Sequence, residues 1–110
     1  MSNTDLVIDT LFETIHERRK GDPSDSYVAK LTKKGRKKMA QKIAEEGSEV
    51  AIAAVAEGNE QIVSESADLL FHLMVLWADA GINPSEVFKE LEQRKGVSGI
   101  TEKANRKDAS

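Results

Sequence analysis

The chain has 110 residues, a formal net charge of -3 and no cysteine. That bounds it to one domain with a modest core and removes disulfides and thiolate metal sites from consideration. Met1-Ser2-Asn3-Thr4-Asp5 lacks the basic start and apolar run of a secretory signal, and the longest apolar stretch, Leu69 to Ala78, is interrupted by His72 and too short to span a bilayer. The expectation is a cytoplasmic protein with no membrane partner and, given its net negative charge, no general affinity for nucleic acid.

Asp5 to Lys20 reads as a helix, because Ile8, Leu11, Phe12 and Ile15 recur at the spacing of one buried stripe, with Thr4 as its N-cap. Gly21-Asp22-Pro23 breaks the chain. Ser24 or Ser26 then caps a short second helix carrying Tyr27, Val28 and Leu31 and ending near Gly35. A third helix is expected from about Arg36 to Glu57, its stripe formed by Met39, Ile43, Glu46, Val50 and Ala53, with Gly58-Asn59 as its C-cap. The fourth, Glu60 to Ala80, is apolar nearly all round from Leu69 to Trp77, which marks the most buried element. Gly81 ends it. Asn83-Pro84-Ser85-Glu86 supplies a cap, a first-turn proline and an acid for a fifth helix running to about Lys95. The residues after Gly96 read as loop or tail.

No segment alternates with a period of two, so the fold class is all-α, with about five helices. The third and fourth helices, joined by a short turn, form an antiparallel hairpin. One hairpin cannot cover a helix that is apolar on every side. A homodimer in which two hairpins build a four-helix core is therefore expected.

Two acidic groups interrupt this apolar pattern. Glu46 and Glu49 are three apart, as are Glu65 and Asp68 on the next helix, and that spacing stacks side chains on one helix face. Glu46 lies on the inward stripe, where a carboxylate without a partner costs several kcal/mol. The first pair precedes the turn near Gly58 by about as many residues as the second follows it, so at ~1.5 Å per residue the two pairs come level across the hairpin. Carboxylates gathered in this way repel one another and call for a cation, and an oxygen-only ligand set points to Mg²⁺ or Mn²⁺. Upstream, Lys30, Lys33, Lys34, Arg36, Lys37, Lys38 and Lys42 fall within thirteen residues that contain no acid. A basic run of this kind is ordinarily a solvated face. Beside a carboxylate-held metal it suggests a polyphosphate substrate. His72, one turn beyond Asp68, reads either as a support for that site or, the simpler alternative, as a core histidine satisfied by a neighbour.

Glu45-Glu46-x-x-Glu49 followed by Glu65-x-x-Asp68 resembles the signature of the MazG-like all-α NTP pyrophosphohydrolase superfamily. Within it, four segments resemble the phosphoribosyl-ATP pyrophosphohydrolases, the second-step enzymes of histidine biosynthesis. They are Ser26-Tyr27-Val28-Ala29-Lys30-Leu31, Lys38 to Glu46, Ala67 to Leu73, and Glu92-Gln93-Arg94-Lys95-Gly96-Val97-Ser98-Gly99. The likeness spans nearly the whole chain as a single domain, residues 1–110, with a tail from about 97. It departs from the usual pattern at Gly47, Phe71 and Asn105. The resemblance implies hydrolysis of phosphoribosyl-ATP to phosphoribosyl-AMP and pyrophosphate. It also implies Glu46, Glu49, Glu65 and Asp68 as Mg²⁺ ligands and Glu45 as the residue that orients or deprotonates water. Lys30, Lys34, Lys38 and Lys42 are then candidates for the triphosphate and Arg94 for the ribose phosphate. Two alternatives remain at this level: a house-cleaning (d)NTP pyrophosphatase sharing the same metal site, and a non-catalytic helical dimer whose basic segment docks an acidic partner or nucleic acid.

Overall fold

Apolar periodicity and capping residues place five helices in the computed structural model, which describes residues 3–95, with side chains from Leu6 onward. They are α1 (Asn3–Arg18), α2 (Tyr27–Lys34), α3 (Arg36–Ala56), α4 (Asn59–Ala80) and α5 (Pro84–Gln93), and no strand occurs among the described residues. The fold class is all-α as expected. The segment Val97-Ser98-Gly99 and the tail beyond it lie outside the described residues.

Element boundaries differ from the sequence expectation where side chains or turn hydrogen bonds intervene. α1 begins at Asn3, so Thr4 is inside the helix rather than its cap. Its C-terminus closes with shorter-range bonds, Lys20 N–H to Glu17 C=O at 3.2 Å and Gly21 N–H to Arg18 C=O at 3.0 Å. In the connection to α2, the Asp22 carboxylate accepts from both the Ser24 N–H and the Ser24 hydroxyl, each at 2.9 Å. Ser26 Oγ then accepts from Ala29 N–H at 3.1 Å and starts α2, the second of the two expected caps. Gly58 caps the start of α4 rather than the end of α3, because the Gln61 side chain takes its N–H at 3.3 Å. α5 is capped by Asn83, as its sequence predicts, and stops at Gln93 rather than near Lys95.

Two glycines make corners that other residues would strain. Gly35 (φ 95°) turns α2 directly into α3, and Gly81 (φ 74°) ends α4 in the left-handed conformation, with the Ile82 N–H reaching back to the Trp77 carbonyl at 2.8 Å.

α3 and α4 make the most extensive interhelix contact, the expected antiparallel hairpin. α1 lies across α4, α2 packs against α3, and α5 rests on α1. The core gathers Ile15 of α1, Val28 and Leu31 of α2, Met39 of α3, and Met74, Val75, Trp77 and Ala78 of α4. It therefore occupies the end of the hairpin away from the turn. Toward the turn the inward stripe of α3 thins, with Ile43, Glu46 and Val50 only half-buried before Ala53 closes fully. That half-buried stretch is where the acidic groups face each other. No helix among the described residues is long and apolar enough to cross a membrane.

Candidate active site

Three carboxylates meet across the hairpin. Glu46 of α3 and Glu65 and Asp68 of α4 each offer one oxygen, and the three oxygens lie within 4.8 Å of one another. The register deduced from equal distances to the turn is thus the one the helices adopt. Glu46 and Glu65 are half-buried and Asp68 is exposed, so the group is open to solvent on one side. Glu65 carries the electrostatic consequence. Loss of water pushes its carboxyl pKa upward, and the charges of Asp68, Glu49, Glu46 and Glu57 push it further. Glu49, the fourth expected ligand, is near enough for its charge to reach Glu65, but it is not one of the three that converge.

Glu45 points away, as its position about 100° round the helix requires. Its carboxylate accepts from the Gln41 amide at 2.8 Å and from Lys42 Nζ at 3.1 Å. These bonds hold its pKa below the ordinary glutamate range, the Gln41 bond first. Lys42 also approaches Glu46 at 3.8 Å, which ties the basic run to the acidic group. Its ammonium pKa is raised, chiefly by Glu45 and next by the hydroxyl of Tyr27. Lys38 sits one turn earlier and reaches Gln41 Oε1 at 3.5 Å. Lys30 and Lys34 are exposed on α2 and pair with no carboxylate among the described residues. Arg94 is gripped by Glu90 at 3.1 Å on α5, which packs chiefly against α1 rather than the hairpin.

His72 is the residue whose role the sequence left open. It is 7% exposed, and both ring nitrogens are engaged. Nδ1 lies 2.8 Å from the Asp68 carbonyl, which can only accept, so Nδ1 carries the proton. Nε2 then accepts the Tyr27 hydroxyl, 3.0 Å away. His72 is a core histidine satisfied by a neighbour, and that neighbour comes from another helix. Tyr27 was legible as part of the second helix and of a family motif, but its bond to His72 was not, because a contact between residues 45 positions apart leaves no periodic signal.

The chemistry of the group is consistent with one ligand class. Three carboxylate oxygens lie together and both nitrogens of the neighbouring His72 are engaged, which suits a hard divalent cation rather than zinc.

The phosphoribosyl-ATP pyrophosphohydrolase family profile matches residues 8–95. A Rhodospirillum rubrum protein named phosphoribosyl-ATP pyrophosphatase is 54% identical over 101 residues, covering 92% of this chain and 86% of its own. The Azospirillum brasilense protein of that name is 52% identical over 101 residues, with 92% and 91% coverage. That of Paramagnetospirillum magneticum is 47% identical over 106 residues, with 96% and 97% coverage. A match over so much of the chain at such identity places it: the chain belongs to the phosphoribosyl-ATP pyrophosphohydrolase family.

Proposed function

We propose that this protein hydrolyses phosphoribosyl-ATP to phosphoribosyl-AMP and pyrophosphate, the second step of histidine biosynthesis. The observation that carries the reading is the meeting of Glu46, Glu65 and Asp68 within 4.8 Å, beside a lysine that bridges to a basic run. Family membership supplies the substrate.

Glu46, Glu65 and Asp68, with Glu49 as a fourth, would hold Mg²⁺, or Mn²⁺ in its place; their all-oxygen donors and mutual repulsion fit such an ion. When bound, that ion would neutralise phosphate oxygens and acidify a coordinated water. The chain's own residues do the rest. Lys30, Lys34 and Lys38 draw the triphosphate toward the carboxylate group, and Lys42, anchored by Glu45 and Glu46, holds positive charge beside it. Glu45, bonded to Gln41 and Lys42 beside the carboxylate group, is the candidate for orienting or deprotonating the attacking water, a role in which its carboxylate turns from those partners toward Glu46. Arg94 remains the candidate for the ribose phosphate.

The test is pyrophosphate release from phosphoribosyl-ATP with and without Mg²⁺, with deoxynucleoside triphosphates alongside. Turnover of phosphoribosyl-ATP that stops in chelator is expected. A preference for deoxynucleoside triphosphates would replace this assignment with a house-cleaning one, and no turnover of any nucleotide would favour a binding module.

A further inference from the structure

The carboxylate group accounts for a polyphosphate but not for the nucleoside attached to it. One cavity, ≈ 660 Å³, is poorly placed for that part of the substrate. Asp9 and Glu13 line it, and it reaches Gly81, thirteen residues beyond Asp68 and so ~20 Å along α4. A smaller cavity, ≈ 350 Å³, is bounded by Arg18, Asp25, Ser26, Tyr27, Val28 and Phe71. Phe71 follows Asp68 by three residues, which puts it on the same side of α4 one turn along.

Tyr27 links this cavity to the turn of α4 that carries Asp68. Its ring lines the cavity, while its hydroxyl is bonded to His72. His72 in turn reaches the Asp68 backbone. The Tyr27 and Phe71 rings are within 22° of parallel, with centroids 6.4 Å apart. Both stand edge-on to the His72 ring, at 84° and 86°. A buried imidazole thus braces two aromatic faces, yet Tyr27 remains 46% exposed. Around it stand a guanidinium, a carboxylate and a hydroxyl, the donors and acceptors that sugar hydroxyls and base edges need. The size falls at the lower end of the ~300–1,000 Å³ typical of small-molecule sites.

We infer that the cavity walled by Tyr27 and Phe71 is the subsite for the purine nucleoside part of the substrate, with the base against the aromatic rings. This rests on the reading that the acidic group takes the substrate's phosphates.

Two ligands separate the two halves. Adenosine monophosphate without metal probes the aromatic cavity, and inorganic pyrophosphate with Mg²⁺ probes the carboxylates, each titrated by calorimetry onto the full chain. Phe71→Leu keeps an aliphatic side chain and removes the flat face. It is expected to weaken adenosine monophosphate about tenfold and leave pyrophosphate with Mg²⁺ within twofold. Unchanged nucleotide affinity, equal loss of both ligands, or no nucleotide binding to the wild type would overturn the subsite. The wild type gives a second measurement that needs no variant. Magnetisation transfer from the adenine ring protons to the single tyrosine of the chain is expected, and its absence would also overturn the inference. Failure of the pyrophosphatase reading shows separately, as wild-type protein that ignores pyrophosphate and Mg²⁺ altogether.

Discussion

At the scale of single residues, Glu65 is where the strain of gathering carboxylates is concentrated. Its pKa is raised by lost hydration and then by Asp68, Glu49 and Glu46. A glutamate whose folded pKa exceeds its unfolded one favours the native state when protonated. That favour is complete at acidic pH and lost as pH rises through the raised value. Near pH 7 the ionised Glu65 therefore works against the fold. Glu65→Gln is expected to raise the Tm measured in chelator at pH 7 and to abolish the increase that Mg²⁺ gives the wild type. A lower Tm in chelator would contradict the repulsion argument. Glu49 offers a different measurement. It is exposed, so Glu49→Gln should leave the circular dichroism spectrum unchanged while weakening Mg²⁺ binding and abolishing pyrophosphate release. Wild-type activity in that variant would remove Glu49 from the site. Both positions were visible in the sequence, because Glu46 interrupts the stripe of Met39, Ile43 and Val50, and the three-residue spacing of Glu46 and Glu49 recurs in Glu65 and Asp68 on the next helix.

At the scale of elements, the hairpin was legible and the ties that hold other helices to it were not. Helical periodicity and the turn at Gly58 fixed which residues of α3 and α4 could meet, since rise per residue converts sequence distance into position along the axis. Asp79 shows the limit of that reasoning. It receives Arg36 of α3 at 2.8 Å and Arg19, from the end of α1, at 3.4 Å, so one carboxylate pins three elements. Arg36 looked like one member of the basic run and Arg19 like an ordinary helix end, and neither carried a signal of its partner. Arg19 Nε is already buried without a hydrogen-bond partner, so losing Asp79 would leave more of that guanidinium unpaired. Asp79→Ala is expected to cost about 1–2 kcal/mol in a urea melt, more than a solvent-exposed pair would. A cost indistinguishable from zero would show that these ties add nothing to stability.

At the scale of the whole molecule, a single chain leaves apolar surface uncovered along its hairpin. Val55, Val63 and Ile52 are 89%, 69% and 52% exposed. Half-buried Leu69, Leu73 and Leu76 on α4 accord with the expectation that one hairpin cannot shield this helix. These faces support the proposed homodimer. Sedimentation velocity at micromolar concentration is expected to show a dimer, and the double variant Val55→Glu, Val63→Glu a monomer. A monomeric wild type would end that proposal. The sequence by itself determined the helices, their order, the hairpin and the carboxylates that face each other across it. These follow from local periodicity, capping chemistry and a short turn, all of which act over a few residues. Only the tertiary structure decided that three carboxylates rather than four converge, that His72 spends both nitrogens on Asp68 and Tyr27, and that Tyr27 lines an aromatic cavity. The first depends on the side-chain geometry between α3 and α4, and the other two on how α2 is laid against the hairpin, a relation between distant segments that no local pattern encodes.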